Sequence, residues 1–192
     1  MPLLLLWGLL DRTWKAVSDL KSLSFWCSLG AYAICSVIEI QFDSYLDAGD
    51  GRTSPDLCFG YTTDDMQSLL EGWGSERRLW YATVVGRFDL FPYIPAYVIL
   101  VGGLLRSASA AAGSLSYFYY KQQILVMALW DYVETITQIY LAQSYPSLNP
   151  SLVVVGSTAN MLKWTTFGVI VSQIIGGFAL GSMKQKGHEK RE

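Results

Sequence analysis

Four long stretches with very few charged residues constrain this chain more than any other feature. A membrane-crossing helix needs ~20 consecutive mostly apolar residues. The chain offers such runs at roughly 22–41, 80–105, 115–143 and 152–181. Together they use most of its 192 residues, which leaves no room for a separate soluble domain of ordinary size. Only 16% of the residues are charged, against 52% hydrophobic, and the charges collect between the runs. The expected fold is therefore all-α: a single transmembrane domain over 1–192, built as a membrane-embedded four-helix bundle.

Two further helices belong to this expectation. Over 1–21, Leu3, Trp7, Leu10, Trp14 and Val17 recur at helical spacing, with Asp11, Arg12, Lys15 and Asp19 largely elsewhere around the helix. That pattern predicts an interfacial amphipathic helix with tryptophans at headgroup level. Between the first two runs, Thr62-Thr63-Asp64-Asp65 reads as a helix start. Met66, Leu69, Leu70 and Trp73 then form one apolar stripe, and Gly74 ends it. This short helix is expected to rest on the bundle as a lid, or to gate a cavity. Turn signals precede it at Asp47 to Gly51 and at Ser54-Pro55.

Basic residues set the expected orientation. Arg12, Lys15 and Lys21 precede the first run, Arg106 lies between the second and third, and a basic tail over 182–192 carries Lys184, Lys186, Lys190 and Arg191. With four crossings these regions share one side, and the positive-inside rule makes it cytoplasmic or its organellar equivalent. The acidic loop from Phe42 to Arg78 is then opposite. Trp80, Tyr81, Tyr140 and Tyr145, near the ends of the runs, suit the aromatic belts of a membrane protein.

Some chemistries are disfavoured. A net charge of −2 gives no broad basic surface for nucleic acid. Cys27, Cys35 and Cys58 form no C-x-x-C pair, so zinc and dithiol redox sites have little support. No cofactor and no metal is expected. Cys27 and Cys35 are read as small packing residues inside the first run, and Cys58 as a loop residue.

The runs do contain charge: Glu39, Arg87, Asp89, Lys121, Asp131, Glu134 and Lys163. A charge at the bilayer centre costs ~2.5–3.5 kcal/mol on insertion scales and usually faces the bundle interior or a wet cavity. At ~1.5 Å per residue, Asp89, Glu134 and Lys163 all fall ~14–16 Å below the outer ends of their runs. Asp131 and Glu134 are three apart and share a helix face, which Gln138 continues. Asn160 and Lys163 are also three apart. The short connection from Ser144 to Ser151 makes the last two helices antiparallel neighbours, so Lys163 is expected within ion-pair reach of Asp131 or Glu134. Arg87 and Asp89 point roughly opposite ways unless Pro92 and Pro95 distort the helix. Lys121 is expected to snorkel toward the inner headgroups, and Glu39 to sit near the outer mouth.

The candidate binding residues are therefore Arg87, Asp89, Asp131, Glu134, Asn160 and Lys163. They suit either of two functions. In one, they line an outward-opening polar pocket for a lipid or small amphiphile, with acid–base chemistry. In the other, they are structural salt bridges in a non-catalytic subunit or assembly factor of a larger membrane complex. A proton or ion transporter is weaker, since four runs without internal duplication do not suit that architecture. Membrane lipids are the expected partners. Gly168, Ser172 and Gly176, spaced by four, form a small-residue face for close packing within the bundle or against partner helices.

Several segments together resemble a family of small four-span integral membrane proteins whose function is unknown. They are Asp56-Leu57 and Tyr61; Trp73-Gly74 with Arg78 and Tyr81; Asp89 with Pro92 and Tyr97; Asp131-x-x-Glu134; Tyr145-Pro146; and Lys163-Trp164. The resemblance covers roughly Ser54 to Phe178. It implies the four-span fold and singles out the buried charges, and it brings no activity. Where that family has asparagine after the second acid, this chain has Thr135, so the implied cluster lacks an amide. The likeness to sterol-isomerase-like four-span proteins is architectural only, and the cysteine pair of the vitamin K reductase type of bundle is missing.

Overall fold

A computed structural model describes residues 2–47, 54–113 and 117–189. Among them the fold is all-helical. Helix α1 is Pro2–Val17 and α2 is Leu23–Leu46. A 3-10 turn at Pro55–Leu57 precedes α3, Thr63–Ala111. Helix α4 is Tyr117–Ser144 and α5 is Pro150–Glu189. Segments of α2 to α5 are each long and apolar enough to cross a membrane, which makes this a multi-pass membrane protein. The turn expected at Asp47 to Gly51 falls mostly outside the described residues, as does the end of the basic tail. Contacts gather the chain into two compact units.

Unit 1 comprises Met1–Tyr32, Ala96–Val126 and Thr166–Glu192. Its helices pack closely at several glycines. Trp14 and Val17 of α1 are 1% and 2% exposed, and they fill the space where Gly102 and Gly103 lack side chains. The Trp14 indole donates to the Val98 carbonyl at 3.0 Å. Two adjacent glycines on α3 make a socket for Trp14, so this tryptophan of the amphipathic helix packs against protein. Arg106 pairs with Asp11 at 3.1 Å. Lys121, expected to snorkel, is buried beneath the Trp7 ring, 4.6 Å from its centroid. At the end of α3, Gly113 takes a positive φ of 67°, and Lys184 donates to the Ala112 carbonyl, a cation on a helix C-terminus.

The small-residue face of α5 is displaced from the expected one. A Cβ on Gly177 would lie 2.7 Å from the Ala108 carbonyl oxygen, and one on Gly181 2.8 Å from the Ala111 Cβ. Gly168 and Gly176 have nothing within 4 Å of a Cβ position, and Ser172 is exposed, its hydroxyl bonded back to Gly168. Residues 176 and 177 are ~100° apart around a helix, so an identical spacing serves a different face.

Unit 2 comprises Ala33–Pro95 and Met127–Thr165. The start of α3 carries the expected cap: Thr62 accepts from the Asp65 amide, and the Asp65 carboxylate accepts from the Thr62 amide, a reciprocal capping box. The stripe Met66, Leu69, Leu70 and Trp73 is buried with Leu46, Tyr81, Leu141 and Val153, so this segment covers the core. Gly74, at φ 66° and ψ 179°, breaks the helix there. Arg78 reaches back across the break to the Leu70 carbonyl at 2.6 Å and stacks on Tyr145.

Beyond this segment, α3 contains two π turns, Tyr81–Val85 and Asp89–Tyr93. The Gly86 amide bonds to the Tyr81 carbonyl and the Ile94 amide to the Asp89 carbonyl. Pro92 lies inside the second and has no amide to give, which removes one ordinary helical bond. The distortion expected from prolines after Asp89 is therefore present. π turns cluster at functional sites, and these two flank the charged segment.

Candidate functional site

The buried charges of unit 2 converge on Lys163. Its ammonium lies 2.7 Å from Glu134 Oε2, 2.9 Å from Asp56 Oδ1 and 3.2 Å from Asp131 Oδ1. The expected contact between the last two helices is thus present with both carboxylates. Glu134 is fully buried, and its other oxygen accepts from Gln138 at 2.8 Å and from Asn160 at 2.5 Å. Gln138 in turn accepts from the Tyr81 hydroxyl. Glu134 and Gln138 are four apart on α4 and Asn160 and Lys163 three apart on α5, so each helix presents its pair on one face.

Asp89 is 6% exposed and accepts from the Thr135 hydroxyl. Among the described residues its carboxylate has no ion-pair partner. One oxygen each of Asp56, Asp89 and Asp131 lies within 4.8 Å of the others. Glu39 is half-buried, within electrostatic reach of Asp56 and Asp131, and its Oε1 is buried without a hydrogen-bond partner. The structure leaves Arg87 out: it is exposed, two residues from Asp89 and on another side of α3. Of the six candidates it brings together Asp89, Asp131, Glu134, Asn160 and Lys163.

Asp56 is the member that the helix pattern does not disclose, since it stands in a loop with seven other acids. The segments of the family resemblance do contain it. Its backbone is fixed by α5: the Trp164 indole donates to the Asp56 carbonyl at 2.8 Å, and Asn160 donates to the Pro55 carbonyl at 3.0 Å. Burial pushes the Asp56 carboxyl up. The Lys163 ammonium, which also donates a hydrogen bond to it, outweighs burial and holds it below the ordinary carboxylate range.

Charge balance defines what this arrangement can do. Three carboxylates, Asp56, Asp131 and Glu134, contact one ammonium, and a fourth, Asp89, lies beside Asp56 and Asp131. Uncompensated charge in a low-dielectric interior is costly, so the excess is met by protons or by a cationic group. The oxygens of Asp56, Asp89 and Asp131 are of the type that hard metal ions take. Lys163 already stands between Asp56 and Asp131, so a metal would compete with it. Tyr81, read as a belt residue, is 4% exposed and serves the cluster through Gln138. The free cysteines lie apart from this chemistry: Cys27 and Cys58 are exposed and Cys35 is half-buried.

Comparisons with models of protein families, with curated proteins and with solved structures find no match to this chain. The site is therefore read from its own chemistry.

Proposed function

We propose that this membrane protein holds the polar end of a lipid or small amphiphile at the carboxylate cluster, on the side opposite its termini, and exchanges a proton with it. The observation that carries this reading is Asp89. It is a buried acid without an ion-pair partner among the described residues, beside two further carboxylates. A structural salt-bridge set needs no such residue, whereas a site for a cationic or protonated headgroup does. The convergence of Asp56, Asp89, Asp131, Glu134 and Lys163 also supports the resemblance to the four-span family. Clustering of Arg12, Lys15, Lys21, Arg106 and the basic tail supports a cytoplasmic-equivalent side for both termini.

The test uses Asp89→Asn, which keeps the shape and leaves the Lys163 ion pairs intact. Wild-type protein extracted into nanodiscs is expected to retain a lipid or amphiphile enriched over the surrounding membrane, read by native mass spectrometry. Asp89→Asn is expected to lose it at unchanged thermal stability. A wild type with no enriched species, or a variant that retains it, overturns the reading.

A second reading rests on a separate observation. Lys163 ties α4, α5 and the Pro55–Leu57 turn with one ammonium. Such a rivet suits a non-catalytic subunit or assembly factor, in which the charges only fix the fold.

A further inference from the structure

The chain that delivers Asp56 takes an unusual path. Segment 55–61 is not α-helical, yet it runs along α5 rather than over its end. The Tyr61 amide donates to Ser157 Oγ at 2.8 Å. A Cβ on Gly60, whose φ is 84°, would lie 3.1 Å from Met161 Sδ. Asn160 and Trp164 take the Pro55 and Asp56 carbonyls. Asn160 is ten residues inside a span candidate that begins at Pro150, or ~15 Å along the helix axis, and Trp164 is ~21 Å along it.

Three further observations bear on the surroundings of this segment. The exposed apolar surface of α5 extends outward past it to Val154 and Val155, which are 62% and 45% exposed. Leu57, Cys58 and Phe59 turn away from the protein, with Leu57 and Phe59 63% and 65% exposed. Two carbonyls that water would satisfy in an ordinary loop are taken by side chains of α5. Non-helical backbone at membrane depth is tolerated only where protein satisfies its polar groups.

We infer that Pro55 to Tyr61 is a re-entrant segment: it dips into the bilayer beside α5, with Leu57, Cys58 and Phe59 against lipid acyl chains. Its polar face is turned inward, where Asp56 meets Lys163. Its apolar face continues the lipid-facing surface of the helix it runs beside. The partner of this surface is the hydrocarbon of the membrane itself.

Cys58 allows a direct test. In a Cys27→Ala, Cys35→Ala background, a nitroxide on Cys58 reports collisions with oxygen, which concentrates in hydrocarbon, and with a water-soluble nickel chelate. A nitroxide at Glu71→Cys, with Cys58 also replaced by alanine, gives the aqueous reference, since Glu71 is exposed on α3. Leu57→Cys in the same background supplies a second position should the Cys58 label lower the thermal midpoint. In liposomes the oxygen-to-nickel ratio is expected to be several-fold higher at the re-entrant position than at residue 71. Equal ratios would place the segment in water and overturn the inference. The readout does not depend on bound ligand, so it stands or falls separately from the proposed lipid site.

Discussion

The two units share close packing and differ in the charge they bury. In unit 1, Gly102 and Gly103 admit Trp14 and Val17, and Gly177 and Gly181 admit the backbone around Ala108 and Ala111. Unit 2 has an apolar core of its own around Leu70 and Tyr81 and adds groups that are expensive to bury, gathered around one ammonium. Close packing gains dispersion energy at no desolvation cost. A buried ion set must first recover the hydration that its members lose. Unit 2 therefore carries a desolvation cost that its apolar core does not itself require.

Lys163→Met tests the contrast most severely. Removing one partner of a buried ion set costs ~3–5 kcal/mol, because the others are left uncompensated, and the variant is expected to lose most of its thermal stability in detergent. Adding Glu134→Gln together with Asp131→Asn and Asp56→Asn, so that all three partners are neutral, is expected to recover much of that loss if the set is a rivet and nothing more. Full recovery together with an unchanged bound-lipid content would reduce unit 2 to a second kind of scaffold.

Unit 1 should respond to the smallest possible addition. Gly177→Ala places a methyl against the Ala108 carbonyl, which belongs to backbone and cannot swing aside. The expected penalty is ~1–3 kcal/mol, as for overpacking elsewhere, read as a lower unfolding midpoint. Gly102→Ala, facing the buried Trp14 indole, should behave alike. A neutral result at both would show that the unit is loosely packed.

The smallest effect is expected one face away. Gly168→Leu and Gly176→Leu meet nothing within 4 Å of their Cβ positions, and each should change the stability by less than about 0.5 kcal/mol, as surface substitutions do. A large loss there would reveal a partner helix on that face.

How much of this was legible in the sequence depended on what had to be known. The runs of apolar residues, the Thr62–Asp65 cap and the Met66 to Trp73 stripe are local signals, and each element stands where its signal does. The joining of Lys163 to Asp131 and Glu134 came from a short connection and matched depths. Facing was harder. Glycines at 176 and 177 carry equal spacing arguments, and only the rotation of α5 against α3 selects the second. Thr135 looked like the loss of an amide, yet its hydroxyl serves Asp89. Asp56 was hidden because its place is set by Asn160 and Trp164, more than a hundred residues away in the chain.

The π turns of α3 carry a consequence for how this gene tolerates change in length. Each is in effect a one-residue insertion absorbed without breaking the helix. Deleting a single codon between Tyr81 and Val85 would remove the bulge and leave the helix beyond it on nearly the same face, so Asp89 would still meet Thr135. The same deletion between the two π turns, in the ordinary winding of Gly86–Phe88, would turn Asp89 off that face by ~100°. A lineage could carry the first deletion and keep its hydropathy profile, every charged residue and the geometry. In this helix the π turns are the places where the count of residues is free to change.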